Sequence, residues 1–239
     1  MRLSIIIPSF QQAAVLQQAL FSIRRQKFYD YEVIIMDAES KDDTAKIVEE
    51  FLDLNIQFYS ALDHGIYDAM NKGVSRSTGE YLYFMGCDDK LASDTTLKQV
   101  FDNKNIIDED FIYGDVIFTK DERLYDGKFG KLKLIDRNIC HQAIFVKRKI
   151  FDEFGGFNIK YKYLADWDFN MKCFSSRDIN IKYIPIIIAY YNNDGLSYNN
   201  RDVAFSNDRE INKKKYFPLL IRYLDSHRNR LYRYLINHI

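Results

Sequence analysis

The run YLYFMGCDDKL passes from aromatic and aliphatic residues straight into two adjacent aspartates, Asp88 and Asp89, with no basic partner before Lys90. Neighbouring carboxylates repel, and ionised side chains are seldom buried without compensation. A divalent cation shared with a diphosphate would make the pair tolerable, because Mg2+ or Mn2+ bridges carboxylate and phosphate oxygens that otherwise repel. The same pair also suits a helix N-cap beside a solvated loop carboxylate. Further acids and hydroxyls follow other apolar runs: Pro8-Ser9 after LSIIIP, the stretch Asp37 to Asp43 after YEVIIM, and Asp63-His64 after IQFYS.

The elements needed to bring these residues together are legible. Residues 3–8 read as a strand buried on both faces, 31–37 as a second buried strand, and 56–60 and 80–85 as a third and a fourth. Between them, Ala13, Leu16, Leu20 and Ile23 recur at helical spacing, 42–53 forms an amphipathic helix with Asp42 as its cap, and GIYDAMNKGVSRS starts a short helix. A helix over 94–103 follows. This alternation predicts an α/β, Rossmann-like, mostly parallel doubly wound sheet, whose ligands sit beyond the carboxyl ends of the strands. Four successive strand ends would then carry their polar residues to one edge. Pro8-Ser9-Phe10 stands where a dinucleotide fold has its Gly-rich turn, so the NAD fingerprint is absent. After residue 105 the pattern loosens: 111–118 reads as a strand, 120–140 as loop-rich, and 166–176 and much of 202–235 as helical.

At 239 residues, 47% hydrophobic and 28% charged, the chain is a folded domain with an appendage. Lys plus Arg equal Asp plus Glu at 34 each, so no overall field points to nucleic acid. The charge is uneven, however: Lys213 to Arg233 carries seven cations against Asp225. Cys87, Cys140 and Cys173 are far apart and unpatterned, which argues against a disulfide framework or a structural zinc site. No 18-residue apolar run and no signal peptide is visible, so the expected location is the cytoplasm, with contact at the inner face of the membrane left open.

The segments LSIIIPSF, VIIMDAESKDDT, HGIYDAMNKGVSRSTGEYLYFMGCDD, HQAIFVKR, FGGF and LADWDF, in that order, resemble family 2 glycosyltransferases with the GT-A fold. GIYDAMNKG is similar to a bacterial subgroup that assembles O-antigen, capsule or related surface glycans. The resemblance spans residues 3 to 195 and implies a GT-A domain over 1–198, with a nucleotide-binding half at about 1–105 and an acceptor half at about 106–198. Residues 199–239 form a basic helical appendage. It implies an inverting, metal-dependent hexosyltransferase using Mn2+ or Mg2+. The donor would be a UDP-sugar such as UDP-Glc or UDP-Gal, and the acceptor a lipid-diphosphate-linked saccharide.

By the same resemblance, Pro8, Ser9, Asp37, Glu39, Asp63, Lys72 and Asp88 line the sugar-nucleotide site. Asp88 and Asp89 are the metal ligands, although Gly86 stands where the family's first carboxylate would be. Asp166 is the base that takes the acceptor's proton, with Ala165 standing where many relatives have Glu. Residues two apart on a helix face differently, so at most one of Asp166 and Asp168 can aim into the cleft. His141, Gln142 and Trp167 fall on the acceptor side, Gly155-Gly156-Phe157 at a tight turn, and NNDGLSY (192–198) in a loop closing over the nucleotide. Blander readings stand beside these: turn chemistry for Asp37 and Glu39, a solvent-facing Asn71 and Lys72, an N-cap for Asp166.

Residues 213–239 mix cations with Leu220, Tyr223, Leu224, Leu231, Tyr234 and Leu235 at helical intervals. Such a helix either lies on an anionic membrane or packs on the domain with a solvated basic face. A metal-dependent nucleotidyltransferase and a catalytically weak sugar-nucleotide-binding subunit of a membrane assembly are the competing readings.

Overall fold

Alternate residues of the first strand enter two different cores, and that division organises the molecule. In the computed structural model, which describes residues 1–103, 106, 109–192 and 200–236 (backbone alone for 229–236), β1 (Leu3–Ser9) is buried along its length. Leu3, Ile5 and Ile7 join one hydrophobic cluster and Ile6 the other, as the two-residue period of a strand requires. Helices α1 (Ala13–Arg24), α2 (Thr44–Glu49) and α4 (Thr96–Phe101) cover the first face through Leu16, Leu20, Ile23, Val48, Leu97 and Val100. On the second face lie α3 (Ile66–Arg76), α5 (Lys131–Leu134), α6 (Arg148–Glu153) and α7 (Ala165–Ser175).

Strands β2 (Tyr31–Asp37), β3 (Ile56–Ser60) and β4 (Tyr81–Phe84) run parallel to β1, as the β–α–β alternation predicts. Beyond β4 the sheet becomes mixed. Its order is β3-β2-β1-β4-β8-β6-β9-β5, with β7 (Leu124–Tyr125) paired to β6. Here β5 is Lys90–Leu91, β6 Phe111–Phe118, β8 Ile144–Lys147 and β9 Ile181–Tyr191. The two halves expected from the sequence therefore share one sheet. Strand β9 carried no expectation. Its register against β6 slips between Tyr113 and Val116, and the slip accommodates Pro185, which has no N–H to pair.

Helices α2 and α4 are shorter than their patterns suggest, because their flanks are held by other bonds. Asp42 stays outside α2: its carboxylate accepts from Thr44 N, Thr44 Oγ1 and Ala13 N, so it ties the starts of two helices together. The appendage is two helices, α8 (Val203–Tyr216) and α9 (Leu219–Ile236). No helix among the described residues is long and apolar enough to cross a membrane.

At the end of the sheet remote from the strand carboxyl termini, one carboxylate clamps four segments. Buried Glu32 accepts from Ser4 Oγ (2.7 Å), Thr78 N (2.5 Å), Thr78 Oγ1 (2.9 Å), Gly79 N (3.2 Å) and Gln57 Nε2 (2.9 Å). Arg148 caps the same turn, donating to Val74 O, Gly79 O and Ser77 Oγ, and so satisfies the end of α3. Burial pushes the Glu32 carboxyl up, but the Thr78, Ser4 and Gly79 donors outweigh it and hold the group below its ordinary value. Its stabilisation is thus present above pH 4.5 and lost as pH falls through the lowered folded value. Glu32→Gln should destabilise the fold by roughly 1.5–3 kcal/mol at neutral pH, since a neutral amide oxygen accepts more weakly and its NH2 then faces Gln57 Nε2. Urea unfolding would show that difference shrinking in acid; parallel pH profiles would refute the clamp.

Candidate active site

The last paired residues of three strands, Ser9, Asp37 and Ser60, lie in register across the sheet. Asp37 is buried and accepts from Ser40 Oγ (2.5 Å), Ser40 N (2.9 Å) and Ser60 Oγ (2.8 Å). A carboxylate offers about four acceptor sites, so one remains toward the edge. Ser40 also receives Gln11 N at 2.7 Å, joining the loops after β1 and β2. Each of those loops holds a non-glycine residue in the left-handed region, Gln11 (φ 51°) and Glu39 (φ 56°), and backbone strain of this kind collects at functional sites. The buried Ser9 hydroxyl has no hydrogen-bond partner among the described residues except the adjoining Cys87 thiol, which in turn donates to Pro8 O. Asp63 accepts from Gly65 N, and Lys72 bridges Leu62 O (3.0 Å) and Asp68 (2.8 Å), bracing the same loop.

The adjacent aspartates divide their labour. Asp89 is buried and accepts from Gly86 N (3.0 Å), Gln142 Nε2 (2.8 Å) and Asn192 N (3.1 Å). Burial, then the charge of Asp88, pushes its carboxyl up to about 6. Asp88 is exposed and accepts Asn192 Nδ2 (2.9 Å). A side chain at Gly86 would meet the carboxylate oxygens of Asp89 and Asp88 at 2.7 and 2.9 Å, so a carboxylate at this position would require both to shift. Of the loop 192–198, Asn192 is described and the rest lies outside the described residues. Among the described residues no group of three or more His, Cys, Asp or Glu converges on a metal-sized site. One exposed carboxylate fits Mg2+ or Mn2+ as these ions bind beside phosphates, with most ligands drawn from phosphate and water.

Across the cleft, Asp166 stands in the first turn of α7, where the helix dipole favours negative charge. Its Oδ1 accepts from Trp167 N (2.9 Å) and lies 2.8 Å from the Tyr67 hydroxyl, which also reaches Tyr163 O. Oδ2 accepts from Asn138 Nδ2 (2.9 Å), and His141 Nδ1 lies 3.4 Å away. Asp168 faces elsewhere, pairing with Lys172 (3.1 Å) and the Tyr216 hydroxyl of α8. Ala165 is wholly buried in the core, so a Glu there would carry charge into it. The Trp167 ring stacks on Phe205 of α8 and its indole N–H donates to Leu134 O.

His141 and Gln142, on a 3-10 turn, reach the two sides in succession, Gln142 to Asp89 and His141 to Asp166. Helix α3 adds two more links that the sequence reading missed. Tyr67 touches Asp166, and the Asn71 amide exchanges two 2.9 Å hydrogen bonds with the backbone of Phe157. Asn71 is thus a structural pin, not a solvent-facing residue. It also explains Gly156, whose φ of 74° and whose Cβ position, 2.8 Å from Asn71 Oδ1, both require glycine.

The sequence model of glycosyl transferase family 2 matches residues 4–166, more than half of the chain. The chain belongs to glycosyl transferase family 2. It is 42% identical over 200 residues to the PGL/p-HBAD biosynthesis glycosyltransferase of Mycobacterium bovis, covering 80% of this chain and 77% of that relative. The structure of Staphylococcus aureus TarS 1–349 with UDP-GlcNAc superimposes with a TM-score of 0.74 at 19% identity, over 85% of this chain and 62% of that one. The mannosyltransferase PcManGT of Pyrobaculum calidifontis, solved with GDP-Man and Mn2+, gives 0.64 at 19% identity, over 80% and 56%. The chain thus spans less than two thirds of these solved chains, and at such identity the likeness shows the fold alone, a GT-A-like α/β fold with a helical C-terminal extension. This family 2 glycosyltransferase is an enzyme, and the nucleotidyltransferase and non-catalytic readings fall away.

The raised Asp89 carboxyl gives a sign-defined test. Folded protein holds the proton up to about pH 6 and unfolded chain only to 3.8, so its contribution to stability is full below 3.8 and lost as pH rises through 6. The unfolding free energy of Asp89→Asn minus that of wild type should rise between pH 4 and 6 and be flat above. Urea titrations across that range check it, and a pH-independent difference would show Asp89 titrating normally.

Proposed function

We propose that this enzyme transfers a hexose from a nucleotide-sugar, UDP-linked, to a lipid-diphosphate-linked saccharide in the assembly of a bacterial surface glycan, with inversion at the anomeric carbon. The observation that carries the reading is the succession of His141 and Gln142, which ties Asp166 to Asp89 and so sets a base candidate and the Asp88-Asp89 turn in one cleft. Pro8, Ser9, Asp37, Glu39, Asp63 and Lys72 then form the donor side, with the spare Asp37 oxygen and the Ser9 hydroxyl available to the nucleoside. Nucleotide-sugars in the two solved relatives support a donor of this class.

Asp166, oriented by Asn138, Trp167 N and the Tyr67 hydroxyl, takes the proton of the acceptor hydroxyl as that oxygen bonds to the anomeric carbon. The bond from that carbon to the diphosphate breaks on the opposite face, so an α-linked donor yields a β-linkage. Bound Mg2+ or Mn2+, held by Asp88 and phosphate oxygens, would supply positive charge against the departing diphosphate. Asp89 holds the turn that presents Asp88. A second reading rests on His141 Nε2, which is buried without a partner among the described residues. In it, His141 accepts the proton and Asp166 orients the ring, as carboxylate–imidazole pairs do.

Asp166→Asn should retain the fold and donor binding while transfer falls by roughly 10²-fold or more, and His141→Gln should cost much less. The reverse order would assign the proton to His141. Asp168→Asn should lower the melting temperature, because it loosens α7 from α8, and leave the chemical step nearly intact. UDP should bind appreciably only with Mn2+ or Mg2+, and Asp88→Ala should remove that dependence. Equal calorimetric affinity in EDTA and in Mn2+ would refute the cation assignment.

A further inference from the structure

Over residues 219–228 helix α9 turns much of its apolar surface away from the domain. Its inward side joins Ile221, packed on the core, to an ion-pair cluster: Asp225 is buried between Lys213 Nζ (3.0 Å) and Arg228 (2.9 Å), and Arg228 reaches on to Asp136 (3.2 Å) near α5. Its outward side is apolar: Leu219, Leu220, Tyr223 and Leu224 are 73%, 66%, 56% and 42% exposed. A helix merely packed on the domain would turn a solvated basic face outward. Here the ion pairs fasten the helix to the domain and these leucines stay outside.

Water is a poor neighbour for that surface, since burying each such side chain is worth about 1.5–3 kcal/mol in general. Its surroundings indicate what covers it. Lys214 and Lys215, both exposed, lie in the last turn of α8, shortly before Leu219 and Leu220. Exposed cations bordering exposed leucines and a tyrosine match the headgroup and acyl layers of an anionic bilayer. A second copy of the chain docked face to face by a two-fold axis would bring the lysine pairs of both copies into the contact.

We propose that the outer face of α8 and α9 binds anionic phospholipid bilayers, with Leu219, Leu220, Tyr223 and Leu224 entering the interface and Lys214 and Lys215 meeting lipid phosphates. The surface is coupled to the cleft by short links. Asp202, which caps α8 through Phe205 N, also receives Tyr163 N and Leu164 N, the residues just before Asp166. An acceptor carried by a lipid would then arrive at the face that adjoins the acceptor side. The surface assignment itself does not depend on that acceptor.

Co-sedimentation of the full chain with phosphatidylcholine vesicles, with and without phosphatidylglycerol, tests the proposal without any transfer assay. Binding should require phosphatidylglycerol and weaken with salt. Leu220→Ser combined with Tyr223→Ser, and separately Lys214→Glu combined with Lys215→Glu, should each weaken it by about tenfold or more, the scale of two lost lipid contacts. Melting temperatures of both variants should match wild type, because these side chains are exposed. Absence of binding at low salt, or undiminished binding by either variant, would overturn the proposal. Light scattering without vesicles provides the other arm: a dimer abolished by Leu220→Ser with Tyr223→Ser would assign the face to a second copy instead.

Discussion

The cleft depends on one helix being bonded to both of its sides. Helix α3 leaves the third strand end, packs Gly73 against Ile6 of β1, and then reaches across to the second half of the chain. Asn71 replaces a backbone partner for Phe157, and Tyr67 touches Asp166. Amide-to-backbone pairs are directional, so this contact sets distance and angle together. Arg148 holds the far end of the same helix and Lys72 braces the loop before it. The motif GIYDAMNKG is thereby explained by mechanics: its tyrosine, asparagine, lysine and second glycine each meet a different neighbour.

Buried carboxylates recur through the fold, and each is surrounded by donors. Glu32 has five, Asp37 three, Asp89 three, and Asp225 two cations. Removing any one donor leaves charge in a low-dielectric setting, so these clusters fix the geometry they occupy. Asp88 differs because it remains exposed to solvent beside a saturated neighbour. Of two like charges in sequence, the inner one is held by the scaffold and the outer one faces solvent.

The parallel half of the sheet was legible because its strands are short, largely apolar runs that end near polar residues. The edge they form, and the separation of Asp166 from Asp168, follow from strand and helix periods alone. The second half was not legible for local reasons. Pro185 interrupts an apolar run that nonetheless forms the long strand β9, because a register slip absorbs it. Tyr67 looks like core in its helical pattern and is indeed buried, yet its hydroxyl has a separate partner. Asn138 sits in a loop-rich stretch with no period to mark it. For α9 the period was visible and its orientation was not, since tertiary ion pairs decide which face turns in.

The 3-10 turn at His141–Ala143 sets successive side chains about a third of a revolution apart. In a strand they would oppose one another. Two consecutive positions therefore address two different carboxylates, one on each bank of the cleft. The turn behaves as a gauge block: its two adjacent side chains set the distance between Asp89 and Asp166. Relatives that lengthen this turn by a residue would have to re-space both banks at once.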